Sequence, residues 1–137
     1  MGLDLLRETV IDERPFWTLV VNRNQALLGK TLLVLRRDCT AVIDITPDEW
    51  AALREELRRL VPAVARLFQP EQFNFAFLMN VDAGVHLHVI PRYASPRRWH
   101  DRAFTDDHWG AAFGSEERTL PAGDLRLLAD EIREELA

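Results

Sequence analysis

The chain has 137 residues, 47% of them hydrophobic and 28% charged, which suits a single globular domain over 1–137 and excludes a disordered chain. A formal net charge of −5 leaves no basic footprint for a nucleic-acid polymer, whose binding depends on displacing counterions from phosphates, but a small nucleotide needs only a few local donors. One cysteine, Cys39, excludes an intramolecular disulfide framework and a cysteine-based zinc finger.

Residues 1–8 (Met-Gly-Leu-Asp-Leu-Leu-Arg-Glu) carry neither the basic and apolar regions of a secretory signal nor the Ser or Thr at position 6 of a myristoylation motif. No apolar run approaches the ~20 residues of a membrane span. The expected setting is therefore the reducing cytoplasm, with no membrane partner. Residues 16–22 (Phe-Trp-Thr-Leu-Val-Val-Asn) are aromatic and β-branched and predict a strand. A connector over 23–30 leads to a short apolar strand over 31–35 (Thr-Leu-Leu-Val-Leu), which Arg36-Arg37-Asp38 breaks.

Thr46-Pro47-Asp48-Glu49 is a helix entry. Thr stands at the N-cap, Pro at the first helical position and Glu at the third, so the two side chains can satisfy each other's free backbone donors. Trp50, Leu53, Leu57, Leu60, Val61 and Val64 then recur at helical spacing and predict a core-facing helix. Pro62 lacks a backbone donor and is expected to kink or split that helix near its end. Residues 73–80 (Phe-Asn-Phe-Ala-Phe-Leu-Met-Asn) predict a strand, 81–84 a tight turn or bulge, and 85–93 (Val-His-Leu-His-Val-Ile-Pro-Arg-Tyr) another strand with Pro91 at its end or at an edge. Residues 94–119 lack periodicity and read as a long functional or interface loop. Residues 122–136 form a second helix, with Leu125, Leu128, Ile132 and Leu136 on one face. Strands, helix, strands, helix is the order of an α+β domain with a mainly antiparallel sheet.

His86 and His88 lie two apart on a strand, so their side chains share a face. Such a pair can hold a metal, perform proton or nucleophile chemistry, or simply pack. Zinc needs three or four protein ligands, and His100, His108, Asp82, Asp101, Asp106 and Asp107 have no diagnostic spacing around the pair. Arg92, Arg97, Arg98, Arg102 and His100 make a local basic cluster that would either draw in a polyphosphate tail or belong to a solvated loop balanced by Asp101, Asp106 and Asp107. We read it as the solvated loop. Trp99 and Trp109 would stack on a base, cap an interface, or fill a satellite core. No GxGxxG or P-loop pattern is present, and Cys39 has no histidine near it in sequence.

The flanks extend the histidine pair into a longer pattern. Val85-His86-Leu87-His88-Val89-Ile90-Pro91-Arg92 resembles the second half of the signature of the histidine triad (HIT) family, His-φ-His-φ-His-φ-φ followed by Pro-Arg. Val21-Asn22-Arg23, Leu28-Gly29 and the 32–35 strand resemble the family's nucleoside-binding strand pair, and Ile45-Thr46-Pro47-Asp48-Glu49 resembles its helix entry. Asp82 and Tyr93 resemble a bacterial branch that hydrolyses diadenosine polyphosphates. The likeness covers about residues 15–95, and it departs at one point: Gly84 stands at the first histidine position.

The resemblance implies a sheet of about five antiparallel strands with a long helix on one face, a C-terminal helix, and a homodimer. It implies that His86 attacks the α-phosphate of a (di)nucleoside polyphosphate or nucleoside phosphoramidate to form a nucleotidyl-histidine, with His88 bonding a phosphate oxygen or assisting the leaving group. Asn22 would contact the ribose and Asn80 the phosphate side, although both are also ordinary strand-end or turn residues. Gly84 would supply its carbonyl to the ring nitrogen of His86 that does not attack. The implied partner is a small-molecule nucleotide. No bound cofactor is required, and Mg2+ would enter only with a polyphosphate. Two alternatives stay open. One is a nucleotide-binding module impaired in catalysis by Gly84, and the other is a metal-dependent enzyme using His86 and His88.

Overall fold

The computed structural model describes residues 7–136; the expectation of no targeting signal over 1–8 falls on residues of which 1–6 lie outside them. Seven strands and two helices follow in the order β1 (Val10–Glu13), β2 (Trp17–Val21), β3 (Thr31–Leu35), α1 (Pro47–Phe68), β4 (Gln72–Phe77), β5 (His86–Arg92), β6 (Arg97–Trp99), β7 (Arg102–Phe104) and α2 (Ala122–Leu136). Five strands form one antiparallel sheet in the order β1-β2-β3-β5-β4. This is the expected α+β architecture. No helix among the described residues is long and apolar enough to cross a membrane.

Alternation divides the sheet into two faces. Leu19, Leu33, Leu35, Leu87 and Val89 point to one of them, where Leu53, Leu60, Val64 and Phe68 of α1 and Leu125, Leu128 and Ile132 of α2 complete the core. Each fully buried side chain of this size contributes about 1.5–3 kcal/mol, so this face holds the domain together. The other face carries Val20, Leu32, His86, His88 and Ile90. It is left to the site.

The α1 entry forms as its sequence dictates. Thr46 Oγ1 accepts from the Glu49 N–H at 3.2 Å, and Glu49 accepts from the Thr46 N–H at 2.9 Å. Glu49 also takes two bonds from the Arg37 guanidinium. Those bonds outweigh the opposing effect of burial and hold its carboxyl down at about 2.

Several expectations need correction. Pro62 neither splits nor ends α1, which runs unbroken to Phe68. Trp50 is not core-facing: it is 42% exposed and meets the Phe77 ring edge-on at 6.0 Å. β4 ends at Phe77, so Asn80 lies in the following loop. Pro91 is inside β5, a strand with neighbours on both sides. It is tolerated because β3 stops pairing at Val89, while on the β4 side the neighbouring Arg92 carbonyl accepts from Glu71. β1, and the β6–β7 hairpin inside the 94–119 region, were not expected. Both are three or four residues long, too short to show a period.

Candidate active site

β5 is paired on both sides, which fixes the directions of its side chains. Leu32 stands opposite His88 on β3, and Ala76 opposite it on β4. His86 and His88 therefore rise from the middle of the sheet, with ring centroids 5.0 Å apart. They lie in a cleft of about 530 Å³ whose lining includes Asn22, Arg23, Lys30, Asn80, Asp82, Phe113 and Glu117.

His86 is buried, and its Nδ1 lies 2.7 Å from the Gly84 carbonyl oxygen. A carbonyl only accepts, so Nδ1 carries a proton, and in the neutral ring the lone pair belongs to Nε2. The backbone that presents this carbonyl is itself held: Val85 donates to the Cys39 carbonyl and accepts from the Leu35 N–H. The glycine thus supplies the orienting acceptor through its main chain. His88 is half-buried. Burial first, then His86 and Lys30 nearby, push its ring down to about 4. At neutral pH it is an uncharged hydrogen-bonding group.

The other expected residues fall around the pair. Asn22 lines the cleft just past β2, and its Oδ1 accepts from the Asn24 N–H at 3.0 Å, an Asx turn. Asn80 and Asp82 are exposed on the rim of the same cleft. Tyr93 is buried and donates to the Leu28 carbonyl at 2.6 Å, serving the fold. Among the described residues, no three His, Cys, Asp or Glu side chains converge in a way that would hold a metal ion.

The basic cluster after β5 does not line the cleft. Arg92 forms a buried pair with Asp106, Arg97 bonds Glu71 and the carbonyls of Phe68 and Gln69, Arg102 pairs with Asp124, and His100 with Glu131. Trp99 belongs to the core and donates to Glu131.

One residue of the site was missed. It is Lys30, read only as the end of a connector. It continues the alternation of β3 two residues before Leu32, on the histidine face, and only the pairing of β3 with β5 reveals that. Residues 113–117, within the 94–119 segment read as a functional or interface loop, wall the cleft. Asn24 holds this segment by donating to the Glu116 carbonyl and accepting from the Arg118 N–H, while Gln25 donates to the Arg118 carbonyl. Beyond the wall is a second cavity of about 320 Å³, which shares Lys30, Phe113, Glu116 and Glu117 with the first.

A profile of the HIT domain matches residues 6–95. A bis(5′-nucleosyl)-tetraphosphatase (asymmetrical) of Schizosaccharomyces pombe is 31% identical over 77 residues, 53% of this chain and 42% of that protein, so the chain spans less than half the length of this curated relative. Among solved structures, a histidine triad protein from Sinorhizobium meliloti superposes with a TM-score of 0.74 at 22% identity, covering 93% of this chain and 88% of that one. Another from Bradyrhizobium japonicum gives 0.71 at 22% identity over the full length of both chains. The profile match, covering the strand pair, the capped helix and the histidine strand in their expected order, shows that this chain belongs to the HIT domain family.

Proposed function

We propose that the protein is a nucleotide hydrolase or nucleotidyl-transferring enzyme that works through a covalent nucleotidyl-His86 intermediate. One observation carries this reading: the Nδ1–H of His86 is committed to the Gly84 carbonyl, which makes Nε2 the lone-pair nitrogen of the neutral ring in a cleft of nucleotide size. In the first step the Nε2 lone pair attacks the α-phosphorus. The P–O or P–N bond to the leaving group breaks, and the leaving atom departs with the electron pair and takes up a proton. The positive charge that develops on the ring is stabilised by the Nδ1–H···O=C bond. In the second step water attacks phosphorus, the N–P bond returns its electrons to Nε2, and a nucleoside monophosphate leaves. Dividing one displacement into two lowers each barrier. His88, neutral at working pH, serves as a hydrogen-bonding group to a phosphate oxygen or the leaving atom.

Asn22 and Asn80, both in the cleft lining, would contact the ribose and the phosphate side. The candidate substrates are diadenosine polyphosphates, nucleoside phosphoramidates and adenylylated small molecules, with Mg2+ accompanying a polyphosphate. The family relation and the S. pombe tetraphosphatase support the hydrolase reading. Homodimerisation belongs to the same proposal. It is supported by the free edge of β4, where Phe75 is 50% exposed and stacks on Phe73, and where Phe77 meets the exposed Trp50.

The test is turnover of adenosine 5′-phosphoramidate and diadenosine tetraphosphate by the wild type and His86→Ala, with and without chelator. Turnover that disappears in His86→Ala is the expected result. Phosphoramidate turnover lost to chelator would favour metal chemistry instead. A specific feature favours the binding-module alternative, namely glycine in place of the first histidine. Under that reading AMP binds wild type and His86→Ala alike, and neither turns over.

A further inference from the structure

We propose that Lys30 is the phosphate-holding cation of this site, binding substrate phosphate oxygens where the two cavities meet beside His88. The inference rests on the nucleotide reading above and names a residue that reading does not use. Four observations carry it.

The first is position. Lys30 precedes β3 in phase with Leu32, which stands opposite His88, so its side chain rises from the histidine face of the sheet. The second is location: Lys30 lines both the histidine cleft and the neighbouring cavity. A phosphate group attacked by His86 and extending toward the second cavity would pass it.

The third is the absence of a bonded partner. Among the described residues the Lys30 ammonium has no ion pair or hydrogen bond at bonding distance. Exposed Glu117 acts on it only from farther off, and burial lowers its pKa. A half-buried ammonium without a counter-ion is costly to keep charged, and an arriving phosphate would relieve that cost.

The fourth is the charge of the cleft. Its lining carries Asp82, Glu116 and Glu117 against only Arg23 and Lys30, and Arg23 is exposed. His88 is neutral at working pH and the Nδ1 proton of His86 is spent on Gly84. An anionic substrate therefore needs Lys30. A charge-assisted contact of this kind changes affinity by roughly tenfold to hundredfold.

The experiment is calorimetric titration of AMP, adenosine and inorganic pyrophosphate into wild type, Lys30→Met, Lys30→Arg and Glu117→Gln at fixed ionic strength. Lys30→Met keeps the aliphatic stem and the backbone bonds that position 30 makes with Leu27 and Asn22. Wild type is expected to bind AMP more tightly than adenosine. Lys30→Met should lose about tenfold or more in AMP affinity with adenosine unchanged, and Lys30→Arg should retain most of it. Glu117→Gln should gain a few-fold for AMP, because it removes the anion that competes for the ammonium.

Unchanged AMP affinity in Lys30→Met, or an equal loss for adenosine, overturns the proposal. If Lys30→Met does not fold, Glu117→Gln decides: a gain for AMP supports the role and no gain refutes it. If wild type binds neither AMP nor adenosine, the nucleotide reading itself fails. Pyrophosphate then tests Lys30 separately, since binding that Lys30→Met abolishes keeps its anion role, and any other result removes it.

Discussion

Asp106→Ala should be among the most destabilising single substitutions in the molecule. The Asp106 carboxylate accepts from Arg92 Nε at 2.7 Å, Arg92 Nη2 at 3.1 Å, the Tyr93 N–H at 3.1 Å and the His108 N–H at 3.1 Å. Burial alone would raise this carboxyl, but the hydrogen bonds from Arg92, Tyr93 and His108 outweigh it and hold it below its ordinary value. The side chains of Arg92 and Asp106 are 3% and 1% exposed. Arg92 spends its other donors on Asn74 Oδ1 and the carbonyls of Ala111 and His108, so the guanidinium is fully bonded. Removing Asp106 strands a buried positive charge with two unmet N–H groups.

Breaking a buried pair from one side costs about 3–5 kcal/mol. For a domain of this size, each kcal/mol lowers Tm by roughly 3–6 °C, so the expected fall is about 10–25 °C. Thermal unfolding followed by circular dichroism, with a urea series for the free energy, measures it. Replacing both partners by apolar residues (Arg92→Met with Asp106→Leu) should cost less than Asp106→Ala alone, because no orphan charge remains. A fall in Tm below about 3 °C for Asp106→Ala, or a double variant worse than the single, would show that the buried charge is not what the pair relieves.

Acid sensitivity should trace in part to His88. Its folded pKa of about 4 lies below its ordinary 6.5, so the unfolded chain binds more protons between those values. Stability is then highest above about pH 6.5 and declines as the pH falls toward 4. His88→Gln, measured by urea unfolding across that range, should show a shallower decline; an unchanged slope would show that His88 is not the group concerned. Glu49 acts lower down, since its folded pKa of about 2 against an ordinary 4.5 gives stability that is present above pH 4.5 and lost below it, and Glu49→Gln should lose this component of the acid transition. Phe75→Lys, on the exposed face of β4, should yield a monomer in sedimentation with its fold intact if that edge joins two copies; an unchanged sedimentation coefficient for a dimeric protein would place the interface elsewhere.

What short-range physics controls is legible in the residues alone. The reciprocal cap at Thr46 and Glu49 involves four consecutive residues and forms as read. The strand over 31–35 and the helix over 122–136 match their observed bounds, because their hydrophobic periods are unbroken. His86 and His88 share a face because a strand alternates, whatever the strand pairs with. The likeness of the 85–92 motif then led to the family.

The rest depends on long-range pairing. Nothing local distinguishes Lys30 from a connector lysine until β3 pairs with β5 and brings it to the histidine face. Trp50 fits a helical apolar stripe, but it meets the last residue of the edge strand β4, Phe77, and stays 42% exposed. Pro62 and Pro91 break local rules, yet α1 runs on through Pro62, and the donor that Pro91 lacks would have faced a side where β3 had already ended. Arg92 and Asp106 are fourteen residues apart and look like loop charges until both are buried. The local pattern sets which side chains share a face; long-range pairing sets what that face meets, and in this molecule that turns two histidines, a carbonyl and a lysine into one site.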